Sequence, residues 1–227
     1  MRRKRKWITL IVTAFMINAA AAQTADQFPV KEWRSETANT YIFYICGDGG
    51  LNNFSIELCN NLNKAGYDIT ALNAKSYFWE KKTPEESANN IGAYLERLLH
   101  SRSNYKIVMV GYSFGADVMP FIINKLPGII KNKMAGVLLI SPSAFTDFEI
   151  HWLDILGANK KRSMDVVDGI NRMRVSRTVL FFGEDESGFP LNKVVKVDTL
   201  IKIPGGHHFD HDPRRLADIL IGEIKRL

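Results

Sequence analysis

At 227 residues the chain is long enough for one domain with a substantial core. Its formal charge of +6 resides mostly at one end: five of the 30 Lys and Arg lie in residues 1–22, which hold no acid, and the remainder carries 25 cations against 24 Asp and Glu. That near-neutral balance excludes a nucleic-acid-binding function driven by a broad basic face.

Met1 to Ala22 opens with Arg2-Arg3-Lys4-Arg5-Lys6, continues as an apolar run from Trp7 and closes on Ala19-Ala20-Ala21-Ala22. A basic start, a short apolar stretch and small residues at its end form the pattern of a cleaved secretory signal, with cleavage expected after Ala22 and delivery to the periplasm. The strongly apolar part falls short of the roughly 20 residues that a spanning helix needs. Residues 23–227 are then expected to form a single domain, with 23–36 a polar lead-in ending in an edge strand near Val30–Arg34.

From there strand and helix patterns alternate. Tyr41-Ile42-Phe43-Tyr44-Ile45 is a continuous β-branched and aromatic run, as a strand buried on both faces requires. A helix from Phe54 to Lys64 stops at Gly66, and Tyr67 to Leu72 reads as the next strand. Thr83-Pro84-Glu85-Glu86 is a strong helix start, with Thr83 as cap, Pro84 in the first turn and Glu86 completing a capping box. Ala88, Ile91, Leu95, Leu98 and Leu99 follow at helical spacing. Lys106 to Val110 is another buried strand, Phe114 to Lys125 its helix, and Ala135–Ile140, Thr178–Phe182 and Thr199–Ile203 are further strands. Asp212-Pro213 opens a last helix. Residues 144–174, with Trp152, Leu153, Ile155 and the basic Lys160-Lys161-Arg162, interrupt the rhythm and read as an insertion. The alternation predicts an α/β fold, a mostly parallel central sheet with helices on both faces.

Gly111-Tyr112-Ser113-Phe114-Gly115 fits the nucleophile-elbow pattern G-x-S-x-G, placed as it should be between a buried strand and a helix. This chemistry needs a serine on a sharp turn, its Oγ exposed at a helix N-terminus. Cys46-Gly47-Asp48-Gly49-Gly50 follows the first buried strand, where this fold takes one oxyanion-hole amide; the residue after the nucleophile supplies the other. The expected donors are the amides of Asp48 and Phe114. Gly183-Glu184-Asp185-Glu186 ends a strand downstream, and Glu186, with Asp185 the alternative, is the expected acid. In Pro204-Gly205-Gly206-His207-His208-Phe209-Asp210, His207 is the expected base and His208 its neighbour in a supporting role. Nucleophile, acid and base then come in the chain order of the α/β-hydrolases. His207, His208, His211, Asp210 and Asp212 offer a rival metal set, but neither metal nor cofactor is expected. Ser141, Ser143 and Ser176 read as structural. Of the two cysteines, Cys46 and Cys59, an oxidising compartment allows a bridge, and two small buried apolar side chains is the other reading.

Taken with Tyr77-Phe78-Trp79 ahead of Thr83-Pro84-Glu85, these motifs make the chain, from Tyr41 to its end, resemble the bacterial virulence family of VirJ and its chromosomal relative AcvB. The one departure is Leu51, where the family pattern has an aromatic. The resemblance implies an α/β-hydrolase fold and a periplasmic serine hydrolase. Its implied substrate is the aminoacyl ester on an aminoacylated phosphatidylglycerol headgroup at the membrane surface, the lysyl form above all. It also implies a second role, accessory to export of virulence cargo with type IV secretion components as partners. On that reading Tyr77, Phe78 and Trp79 would meet acyl chains or the membrane, and Asp48, Glu80 and Asp117 would receive a lysyl cation.

Overall fold

A computed structural model describes residues 28–36, 38–150 and 162–227. The expected export signal at 1–22 and most of the basic, tryptophan-bearing part of the insertion lie outside the described residues. In chain order the elements are β1 (Val30–Trp33), β2 (Thr40–Ile45), α1 (Asn53–Lys64), β3 (Asp68–Leu72), α2 (Ala74–Tyr77), α3 (Pro84–Ser101), β4 (Lys106–Tyr112), α4 (Phe114–Lys125) and α5 (Gly128–Lys131). They continue with β5 (Met134–Ile140), β6 (Phe145–Thr146), β7 (Met164–Asp165), α6 (Val166–Asn171), β8 (Thr178–Gly183), β9 (Thr199–Ile203) and α7 (Pro213–Ile224).

Seven strands form one sheet in the order β1-β3-β2-β4-β5-β8-β9, in which β1 runs antiparallel to β3 and the others pair in parallel. The unbroken apolar runs are explained by burial on both faces: every residue of β3 and β8 is buried, and all of β2 beyond Thr40. β9 alternates instead, as an edge strand does, and exposes Leu200. The chain leaves β2 for β3 on one side and returns to β4 on the other. Right-handed crossovers running in opposite directions put their helices on opposite faces. Accordingly α1 packs with α7, and α3 and α6 pack with α4. This order makes β2 and β4 the switch point of the sheet, where loops diverge and leave a crevice at the strands' C-terminal ends.

Local signals act as their chemistry requires. Thr83 Oγ1 accepts from the Glu86 amide at 3.0 Å, and Ala88, Ile91, Leu95 and Leu98 are buried beneath α3, with Leu99 at the margin. In the 144–174 segment, β6 and β7 pair as an antiparallel ribbon and α6 docks on α4. Asp147 Oδ1 takes hydrogen bonds from the backbone and side chain of Ser163, at 3.1 and 2.8 Å, which tie the two ends of the segment together. Both cysteines are free and fully buried, so they are the two small buried side chains of the second reading and no bridge joins them. Cys46 Sγ instead contacts Leu72 O and the Ala74 amide, each at 3.3 Å, and burial pushes its thiol up to about 12.

The packing at the switch point is tight enough to test. A Cβ on Gly115 would stand 2.1 Å from the carbonyl oxygen of Ile45, whereas one on Gly222 in α7 would meet nothing within 4 Å. Gly115→Ala is expected to lose upwards of about 3 kcal/mol or to yield no folded protein. Gly222→Ala should gain about 0.5–1 kcal/mol by lowering the entropy of the unfolded chain. Urea unfolding of both variants measures the contrast.

Candidate active site

Ser113 joins β4 to α4 at φ 52°, ψ −120°, a backbone region that costs a non-glycine residue about 1–3 kcal/mol. The surrounding bonds fix it there. Its amide donates to Ile140 O at 2.8 Å, and its carbonyl accepts from Ala116 at 2.8 Å and Asp117 at 3.0 Å. Glycine at 111 is required because a Cβ there would lie 2.6 Å from Gly115 O. The turn after β2 lies directly against the serine, with a Cβ on Gly47 falling 3.4 Å from Ser113 Cβ.

Three strand ends then bring a base and an acid to the hydroxyl. His207 Nε2 lies 2.9 Å from Ser113 Oγ, and His207 Nδ1 lies 3.0 Å from Glu186 Oε2. The other carboxylate oxygen, Oε1, accepts from Ser141 Oγ at 2.6 Å and from the Gly183 amide at 2.7 Å. The acid and base loops touch through backbone, since a Cβ on Gly183 would stand 2.4 Å from Gly205 O. Asp185, the alternative acid, has an exposed side chain. His208, the alternative base, places Nδ1 3.0 Å from Tyr112 Oη and stacks on His211 at 5.2 Å. Asp210 pairs with Arg215 at 3.0 Å, and Asp212 caps α7 by accepting from the Arg215 amide at 2.9 Å.

The electrostatics follow from these bonds. The hydrogen bond to Glu186 raises the His207 pKa above its ordinary value against the opposing effect of burial, and the charges of Glu186, Asp117 and Asp48 add to it. Burial raises Glu186, but hydrogen bonds from His207, Ser141 and Gly183 outweigh it and hold the carboxyl below its usual range. Burial and the neighbouring imidazoles lower His208, which is therefore neutral at pH 7.

Asp48 lies in the turn against Ser113 and Phe114 follows the serine in the chain, and neither amide has a backbone or side-chain acceptor among the described residues. A cleft of about 380 Å³ opens at the serine, lined by Gly47, Asp48, Asn52, Tyr112, Ser113 and His207 among others. Three of the six side chains expected to meet substrate are not available to it. Phe78 is fully buried and packs edge-on against Phe114 at 5.2 Å. Tyr77 is 7% exposed and bonds Asn90 at 2.8 Å. Asp117 is 1% exposed, turned inward to the Ser143 amide and Arg162, and burial lifts its carboxyl to about 7. Helical and loop spacing could not tell inward from outward here, because this rim is packed on both sides. Trp79 is 53% exposed. Two contributors were not anticipated. Ser141 at the end of β5 orients the acid, and Tyr112 packs on the His207 ring at 5.9 Å and reaches His207 O at 3.2 Å. The placement of Ser141 at a strand's C-terminal end was the available signal.

An imidazole beside a carboxylate holds its proton to higher pH, so the neutral, proton-accepting form accumulates only above the raised pKa. The His207 titration, followed by NMR, should have its midpoint above about 6.5. Glu186→Gln removes the largest raising influence and should move that midpoint downwards; no movement would mean that another group sets it.

No curated protein sequence matches this chain. Among solved structures, Est1E from Butyrivibrio proteoclasticus is similar, with a TM-score of 0.63 at 14% identity over 87% of this chain and 93% of its own. An esterase domain from a Rhodothermus marinus protein has a TM-score of 0.60 at 12% identity, covering 87% of this chain and 92% of that one. A thioesterase domain from the curacin biosynthetic pathway has a TM-score of 0.56 at 13% identity over 85% and 94% of the two chains. At such identities the likeness is one of fold, and the fold is that of the α/β-hydrolases. The family model described as bacterial virulence protein (VirJ) matches residues 39–227, from the start of β2 to the last residue, and the chain belongs to that family.

Proposed function

We propose that this chain is an exported serine ester hydrolase acting on the aminoacyl ester of an aminoacylated phosphatidylglycerol, with Ser113 as nucleophile, His207 as base and Glu186 as its partner. The observation that carries the reading is the unbroken line of hydrogen bonds from Ser113 Oγ through His207 to Glu186, beside two amides without acceptors. Ser113 Oγ attacks the ester carbonyl as its proton passes to His207 Nε2, and the carbonyl oxygen takes up the electron pair facing the Asp48 and Phe114 amides. Collapse breaks the ester C–O bond, the departing alkoxide takes the proton from His207, and water repeats the sequence to free the acid and Ser113.

The lipid and its lysyl group rest on coarser support. Asp48 carries a carboxylate beside the nucleophile, suited to an ammonium group on the acyl side. Trp79 and Phe145 are 53% and 51% exposed. They belong to neighbouring stretches of one rim, joined by the bonds from Ile150 N to Phe78 O and from Lys82 N to Phe148 O, both 2.8 Å. Such a rim suits a substrate held in a membrane surface. The basic and apolar pattern of residues 1–22 supports action outside the cytoplasm.

Ser113→Ala is expected to abolish labelling by a fluorophosphonate probe and to slow cleavage of lysyl-phosphatidylglycerol in vesicles by about three powers of ten or more. Unfolding free energy should change by less than about 1 kcal/mol, because one oxygen is removed at an exposed turn. A wild type that never labels, with a variant that still supports secretion of virulence cargo, would favour the accessory role instead.

A further inference from the structure

Two clefts meet at His207. One holds Ser113 and Asp48. The other, also about 380 Å³, lies on the acid side of the imidazole and is lined by Ser143, Phe182, Ser187, Phe189 and Lys202 together with Glu186. Ser113 lines only the first cleft, whereas His207, which returns its proton to the departing alcohol, lines both.

The charges of the second cleft are unequal. Glu186 spends both oxygens on other groups: Oε1 accepts from Ser141 and Gly183, and Oε2 faces His207. Lys202 Nζ, reaching from β9, contacts Gly183 O at 3.2 Å and Glu186 O at 3.5 Å and lies 5.3 Å from the centre of the Phe182 ring. Those partners are carbonyl dipoles and a ring face, and no carboxylate pairs with Lys202 among the described residues. When His207 takes the serine proton, its imidazolium and the Glu186 carboxylate form a neutral pair. Among the described residues lining the cleft, the Lys202 ammonium is then the one uncompensated charge at the moment the alcohol departs. A cation so placed favours an anion that develops or travels with the leaving group.

We propose that this cleft is the leaving-group subsite and that Lys202 selects esters whose alcohol carries an anionic phosphodiester. The proposal rests on the reading of Ser113 as the nucleophile. In the step concerned, the ester C–O bond breaks, its electron pair stays on the alcohol oxygen, and that oxygen receives the proton from His207 Nε2. The phosphodiester passes through unchanged, held by Lys202, with the Ser143 and Ser187 hydroxyls at the same wall. Phe182 and Phe189, whose rings are 5.0 Å apart, offer an apolar surface to the carbon skeleton of the alcohol.

Two measurements test it. The first needs no turnover: sn-glycero-3-phosphoglycerol, the deacylated headgroup, is titrated calorimetrically into the Ser113→Ala protein with and without a change at Lys202. Lys202→Met should weaken binding about tenfold and Lys202→Arg should restore it, and added salt should weaken the binding of the Lys202 form. The second compares lysylglycerol with the methyl phosphodiester of lysylglycerol 3-phosphate as substrates. The ratio of kcat/KM for the ester with the phosphodiester to that for the ester without it should fall about tenfold in Lys202→Met. Binding that is absent or indifferent to residue 202, or an equal loss on both esters, would overturn the subsite and reduce Lys202 to a brace for the acid loop. Failure of the nucleophile reading looks different: Ser113→Ala would go on hydrolysing both esters.

Discussion

The carbonyl oxygen of Ile45 leaves no room for a side chain at position 115, where a Cβ would intrude to 2.1 Å. This contact presses the N-terminal turn of α4 onto the C-terminal end of β2, and the geometry of the site follows from it. Because α4 starts there, the elbow must lie beside the Cys46–Gly47 turn, and Gly47 comes within van der Waals distance of Ser113 Cβ. The turn after β2 and the start of α4 thereby meet at one serine. The strained backbone at Ser113 is outweighed by the helix it introduces, since Val118, Met119, Ile122 and Ile123 are all fully buried. Each such side chain contributes about 1.5–3 kcal/mol, against about 1–3 kcal/mol of strain at one residue.

The acid and the base are set by a second close approach, that of Gly183 to the Gly205–Gly206 backbone. β8 and β9 pair in parallel up to Gly183 and Ile203, so their following loops begin side by side. The loop that carries His207 ends in three residues with left-handed backbone, Phe209, Asp210 and His211, a costly run. Phe209 is fully buried, and the Arg215 guanidinium donates to Pro204 O, Phe209 O and Asp210 at 2.8–3.2 Å, which holds the loop closed. Ser141, itself at φ 49°, completes the arrangement from β5. The side chains that would do chemistry therefore sit on strand ends, and flexible side-chain choice plays little part in where they lie.

Much of this was legible in the sequence because it is written in patterns of short range. Buried strands announce themselves as apolar runs, as Tyr41 to Ile45 does, and the capping box at Thr83 fixes the start of α3. Ser113, Glu186 and His207 stand out in the sequence because each follows a recognisable strand, and glycines in each of the three motifs mark where backbones must approach. What was not legible depends on which way a side chain turns once elements pack. Phe78 and Asp117 sit in motifs of the site yet point into the protein, one beneath Phe114 and the other towards Ser143 and Arg162. Ser141 carried no motif, and its bond to Glu186 spans 45 residues of sequence. The short β6–β7 ribbon was missed as strands because two-residue strands carry no periodicity.

The three carboxylates that act on His207 do not act equally, and this inequality decides how the imidazole behaves. Glu186 is bonded to Nδ1 and is held ionised by its other donors, so its full charge faces the ring at hydrogen-bond range. Asp117 is buried without enough donors to offset its desolvation, and its carboxyl, lifted to about 7, carries only part of a charge near neutral pH. Asp48 acts through space from the cleft side, where substrate can approach it. Glu186 is thus the group that fixes the base, and it fixes geometry as well as charge: with Nδ1–H committed to Oε2, Nε2 is left as the acceptor facing Ser113 Oγ. An amide at position 186 would weaken the first effect and could reverse the second, because it can present a donor to Nδ1 and turn the proton to the wrong nitrogen. The orientation of one carboxylate, set by Ser141 and the Gly183 amide, therefore governs which nitrogen can accept the serine proton.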